Sequence, residues 1–106
     1  MTSSPHYLYV FNMLGYGKHG NPKVGITKDV AEREKQLWYS YGGLIPKLLA
    51  LYEFDDIASA RRAESAVIRR FTPYLPNVRE LFKEPCDLVI EFINASGFPC
   101  RTAELP

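Results

Sequence analysis

The sequence predicts an α+β domain, a small three-stranded antiparallel sheet flanked by helices in the order β-β-α-β-α-α. Two observations carry this. An aromatic and β-branched run at residues 7–14 is followed by a Gly-rich loop and a second short apolar run at 23–27, the signature of two strands joined by a long turn. Segments with apolar residues at helical spacing then follow, separated by one more strand-like run. Hairpin-linked strands followed by helices fit α+β better than alternating β-α units.

Each element has a local reason. In Tyr7–Leu14 both faces, Tyr7/Tyr9/Phe11/Met13 and Leu8/Val10/Asn12/Leu14, are largely apolar, which places the strand centrally in its sheet. Residues 15–22 (GYGKHGNP) form the loop, and Lys23–Thr27 (KVGIT) the antiparallel partner. Asp29 with Glu32 makes a capping-box-like start for a first helix, whose apolar face is Val30, Leu37, Trp38 and Tyr41 and which Gly42-Gly43 stops. Leu48–Phe54 is the third strand. Asp55 and Asp56 offer an N-cap for a second helix over about 57–71, with Ile57, Ala60, Val67, Ile68 and Phe71 along one side. Residues 79–83 read as a connector or strand. Pro85 suits the first turn of a third helix with Val89, Phe92 and Ile93 inward, and residues 97–106 read as a poorly tied tail.

The chain of 106 residues fits one domain, with a core at about 6–96. A hydrophobic fraction of 46% is enough for a core without staples. The net charge of +1 is no mark of a nucleic-acid binder, so any such contact needs locally clustered charge. Cys86 and Cys100 fit neither a zinc pattern nor a disulfide framework and read as ordinary thiols. His6 and His19 read as surface residues. No signal peptide or membrane span is recognisable, so a cytoplasmic location is expected.

Four residues look out of place. Glu64 falls within the apolar stripe of the second helix, where a carboxylate is costly unless paired. Arg33 lies on or beside the inner face of the first helix. Tyr9 sits mid-strand, and Lys23 opens a strand beside Gly25, where the missing side chain allows a close approach. Each alone has an ordinary explanation: a rim position, a snorkelling stem, a packed tyrosine, a lysine protecting an edge.

Together they carry a resemblance. Tyr7-Leu8-Tyr9-Val10-Phe11 and Lys23-Val24-Gly25-Ile26-Thr27 resemble the two signature strands of the GIY-YIG nuclease superfamily, Leu8-Tyr9 standing at the end of GIY and Lys23-Val24-Gly25 at YIG. Arg33 lies eight residues beyond Gly25 and Glu64 on the following long helix, as in that family. Arg79-Glu80-Leu81-Phe82 looks like the (G/R)EWF segment of a phage- and bacterial-type branch, which often has KIG for YIG. The sequence departs from the pattern at Tyr7, Lys23, Leu37 and Ile68, and neither Asn77 nor Asn94 is assignable to the late asparagine of some members.

The resemblance implies a metal-dependent endonuclease that hydrolyses nucleic-acid phosphodiesters, with DNA the expected substrate and Tyr9, Lys23, Arg33 and Glu64 catalytic. Glu64 would hold a single Mg²⁺ or Mn²⁺. Arg33 would bind phosphate oxygens. Tyr9 would accept a hydrogen bond from the attacking water or take its proton, with Lys23 favouring the phenolate. Lys18, His19, Arg61, Arg62, Arg69 and Arg70 are the candidate nucleic-acid contacts. A monomer has one such site and would nick, whereas a double-strand break needs a homodimer or two events. The alternatives are a catalytically inactive module of this fold that binds nucleic acid or a partner protein, and a small phage or plasmid inhibitor of a host factor.

Overall fold

The computed structural model describes residues 5–14, 20–40, 45–76 and 78–105. Among these the chain runs β1 (His6–Leu14), β2 (Asn21–Thr27), α1 (Val30–Ser40), β3 (Lys47–Phe54), α2 (Ile57–Arg70), β4 (Pro73–Leu75), β5 (Val78–Phe82), α3 (Cys86–Ala95) and β6 (Cys100–Thr102). The sheet has six strands in the order β4-β5-β2-β1-β3-β6, and its strand pairs are antiparallel.

The expected three-stranded sheet is thus too small, although the α+β character stands. The three added strands are short; β5 and β6 join the sheet through distant partners, and β4 through its neighbour β5. β4 is a proline-bounded run of three residues on β5, β5 bridges β2 through Lys23 and Leu81, and β6 extends β3. Runs this short lack the alternating pattern that announces a strand. The expected loose tail is also overturned. β6 pairs Tyr52 with Thr102 and Phe54 with Cys100, Ala103 donates its N–H to the Leu51 carbonyl, and Phe98 packs on the core. Arg101 bridges Glu53 at 2.8 Å and Asp55 at 2.9 Å.

β1 is central, between β2 and β3, and Leu8 to Phe11 are wholly buried. Because strand side chains alternate, its two faces feed two cores. Leu8 and Val10 join Val24, Tyr52, Phe54, Ala60, Ala63, Val67 and Val89 under α2 and α3. Tyr9, Phe11 and Met13 join Leu37, Leu51 and Leu81, with Val30 of α1 against them. α1 and α2 therefore lie against opposite faces of the sheet.

The helix starts follow their sequence signals. Asp29 accepts from the Glu32 N–H at 3.1 Å, but its own N–H bonds the Thr27 hydroxyl rather than closing a reciprocal box with Glu32. Asp56 caps α2 through the Ser59 N–H at 2.7 Å, and Pro85 is the N-cap of α3. The inner stripe of α2 is narrower than its spacing suggests. Ala60, Ala63 and Val67 are buried, Ile57 is exposed, and Glu64 stands half-buried at the rim. α1 turns only Leu37 fully inward and leaves Trp38 exposed, since a helix of three turns meets the sheet along one narrow line. Tyr41 and Gly42-Gly43 lie outside the described residues. His6 is not a surface residue: it sits 7% exposed on β1 opposite Phe54. Both cysteines are free thiols, and burial pushes Cys86 up to about 12, which leaves it unreactive.

Deletion of residues 97–106 is expected to lower Tm by several degrees, because it strips β6 from β3 and Phe98 from the core. An unchanged melting curve would show that these contacts do not stabilise the fold.

Candidate active site

Tyr9, Lys23 and Gly25 share a face because antiparallel neighbours point the same way. Tyr9 pairs with Gly25, and Phe11 with Lys23. The reason for a glycine is direct: a Cβ at position 25 would overlap the Tyr9 phenol oxygen and lie 2.6 Å from its Cζ. The close approach that the bare glycine permits is that of the Tyr9 ring itself.

Above this pair stands Arg33 of α1. Its Nη1 donates to the Tyr9 hydroxyl at 3.4 Å, and its guanidinium carbon lies 5.9 Å from the ring centroid. Among the described residues the buried Nε–H has no partner. A buried charged donor left unpaired costs free energy, and an anionic oxygen is the ligand that would satisfy it. Arg33 is thus the cation at the phenol, where Lys23 was expected. Lys23 is almost fully buried and its ammonium bonds Glu80 at 2.9 Å. Burial pushes the Tyr9 phenol up to about 12, against the downward pull of Arg33, with Glu64 and Glu80 adding to the rise.

Glu64 arrives from α2 on the other side of the sheet, yet it shares this field. Burial, then the Glu80 carboxylate, raises its carboxyl above the usual range, while Lys23, Arg33 and Arg61 pull it down. Among the described residues it makes no hydrogen bond or ion pair. The structure thus brings Tyr9 and Arg33 into contact and pairs Lys23 with Glu80, while Glu64 is linked to them by longer-range electrostatics and by no direct contact among the described residues. The only sequence signal for Glu80 is its place in the Arg79-Glu80-Leu81-Phe82 segment.

The basic residues of α2 do not gather there. At about 100° per residue, Arg61 lies about 60° from Glu64 around the helix, whereas Arg62, Arg69 and Arg70 lie about 120–160° away. Arg62 bonds the Ser59 hydroxyl at 3.2 Å, and Arg70 lies over the Phe71 ring at 5.1 Å. Lys18 and His19 lie outside the described residues. A hollow of about 580 Å³ beside α3 is lined by Asp87, Ile90, Glu91, Asn94 and Ala95. Its acidic rim repels phosphate, so it is no rival for an anionic substrate. Asn94 is engaged elsewhere, accepting from the Tyr52 hydroxyl at 2.9 Å.

Among the described residues no three His, Cys, Asp or Glu side chains form a metal-ligand cluster. A hard divalent ion that keeps most of its waters needs only one or two carboxylates. Glu64 fits that demand: it is partly open, unpaired among the described residues, and raised first by burial and then by a neighbouring like charge that a cation would offset.

A tyrosine packed on a glycine, an arginine with a spare buried donor, and a lysine paired with a glutamate mark the candidate site on this antiparallel sheet. The chain matches the family model of the T5orf172 domain over residues 6–96 and belongs to that family, a phage-associated domain with a GIY-YIG-like, nuclease-like fold. No model specific to the GIY-YIG nucleases matches, nor does any curated protein or solved structure.

Two outcomes follow from this geometry. Gly25→Ala is expected to destabilise by about 1–3 kcal/mol, the usual cost of overpacking. Adding Tyr9→Phe, which removes the overlapping oxygen, should recover part of that loss in a denaturant titration. Independent, additive effects would mean the two residues do not touch. The raised carboxyl of Glu64 gives a second outcome. A folded-state value above the unfolded one means the folded chain binds the extra proton, so stability rises as pH falls through that window. At neutral pH the ionised Glu64 therefore opposes folding. Glu64→Gln is expected to raise Tm at pH near 7, with the gain vanishing at about pH 4, where the ordinary carboxyl also protonates. A gain independent of pH would point to a cause other than its charge.

Proposed function

We propose that the chain is a metal-dependent endonuclease that hydrolyses phosphodiester bonds of nucleic acid, with DNA the expected substrate. The observation that carries this is the buried, unpartnered Nε–H of Arg33 beside the Tyr9 phenol, in the same field as the unpaired Glu64. A phosphate oxygen satisfies the spare donor, and the guanidinium fork then stabilises the charge that grows on the phosphoryl group. Tyr9, pushed up to about 12, is a neutral phenol at pH 7. It serves by orienting the attacking water through its oxygen, already polarised by Arg33, rather than by removing the proton unaided. Glu64 would hold one Mg²⁺ or Mn²⁺, which supplies Lewis-acid stabilisation of the phosphoryl oxygen. Lys23, almost fully buried, adds positive charge at the cleft wall while Glu80 partly offsets it.

The high value at Tyr9 also favours a second reading. A phenol so far above neutrality is poorly matched to general-base work, as expected of a module that binds nucleic acid without cutting it.

Labelled single- and double-stranded DNA and RNA incubated with Mg²⁺, Mn²⁺ or EDTA separate the two. The nuclease reading expects metal-dependent products that Glu64→Ala abolishes, with Arg33→Ala lowering kcat by about 10²–10³-fold. If the folded wild type cuts none of the four substrates yet binds one with steep salt dependence, the second reading replaces it.

A further inference from the structure

On the face of the sheet that carries Tyr9 lies an open hollow of about 400 Å³. Its apolar surface comes from Tyr7, Val30 and Leu51, and its exposed rim from Lys28, Asp29 and Glu104. It lies beside the Tyr9–Arg33 contact. Tyr7 and Tyr9 are alternate residues of β1, so they share a face and stand about 7 Å apart. Leu51 is the cross-strand partner of Tyr9. Val30 precedes Arg33 by about one turn of α1 and so lies on the same side of that helix.

The hollow and Arg33 ask for different chemistry. Arg33 has a buried N–H without a partner among the described residues, which suits an anionic oxygen. The hollow sets two carboxylates against one ammonium at its rim, a balance that repels a phosphate. Beneath that rim it offers aliphatic side chains and the Tyr7 ring. The ring is tethered, because its hydroxyl donates to Glu53 at 3.4 Å. A flat, uncharged group with N–H donors fits this lining: it packs on the ring, and the rim carboxylates accept from its edge. A nucleotide carries both groups, a phosphate and a base, separated by one sugar.

We propose that this hollow is a nucleobase subsite, which takes the base of the nucleotide whose phosphate Arg33 holds. This rests on the reading of Arg33 as the phosphate holder. Packing on an aromatic ring tolerates any base, so the subsite selects for an unpaired base and not for a particular sequence. A base enters it only out of the duplex stack, which favours single strands or frayed ends over intact double helix.

The test uses the full chain in EDTA, so that neither metal nor cleavage enters, with deoxynucleoside monophosphates and deoxyribose phosphate as ligands. Calorimetric titration is expected to show the nucleotides binding about fivefold or more tighter than the sugar phosphate, the usual scale for one base on one aromatic ring. Tyr7→Leu keeps apolar bulk but removes the ring. It should abolish that advantage and leave deoxyribose phosphate unaffected, whereas Tyr7→Phe should bind as wild type does; melting curves check that both variants fold. In the wild type, nuclear Overhauser contacts from the base protons should reach the methyl groups of Val30 and Leu51. The proposal is overturned if nucleotides bind no better than deoxyribose phosphate, if Tyr7→Leu retains the advantage, or if those contacts are absent. If Arg33→Ala binds deoxyribose phosphate as well as wild type does, the phosphate assignment of Arg33 fails instead. The contacts to Val30 and Leu51 then still decide whether the hollow takes a base.

Discussion

The contact of the Tyr9 ring with the bare backbone of Gly25 sets the terms for everything around it. Two central strands of a twisted sheet present a phenol and an absent side chain directly opposite one another. The ring fills the space a Cβ would take, so its hydroxyl is held at a fixed height over β2. Arg33 reaches that oxygen through Nη1, and its buried Nε–H is left without a partner among the described residues. The wholly buried segment from Leu8 to Phe11 makes this arrangement stiff, because tightly packed side chains have few alternative rotamers.

Around that contact the charges are balanced unevenly. Lys23 is matched by Glu80, Arg33 has a donor to spare, and Glu64, unmatched among the described residues, feels three cations and a like charge. A site built only for stability would pair every one of these, since unpaired buried charge is the costlier state. The imbalance marks the candidate site more clearly than the hollow beside α3, which Asp87 and Glu91 line.

Much of this was legible in the chain itself. The central position of β1 followed from its two apolar faces, and the caps at Asp29 and Asp56 from short polar side chains before helical periodicity. Tyr9, Lys23, Arg33 and Glu64 were picked out by their spacing along a family pattern, and of these Tyr9 and Arg33 stand in contact. What escaped was whatever depends on long-range pairing. β4 and β6 are three residues each and acquire strand character only from β5 and β3. His6 looked like a surface residue because nothing local signals that Phe54 covers it. Lys23 was expected to act on the phenol because β1 and β2 are neighbours, yet the partner that claims it comes from β5, far along the chain. The arginines of α2 clustered in sequence but fan around the helix, because pairs at i and i+1 point about 100° apart.

The two ends of the sheet share one property. At one end lies β4, three residues that begin at Pro73 and are followed by Pro76, and at the other β6, three residues carrying Arg101 locked to Glu53 and Asp55. Proline offers no N–H to a newcomer, and a short charged strand gives it little to grip. The sheet is therefore terminated on both sides and does not invite a foreign strand to lengthen it. Fibrillar growth through its edges is discouraged by construction. Two copies of the chain would have to meet through helices or loops, so their separation and relative orientation would be set by those surfaces and not by a continuous sheet.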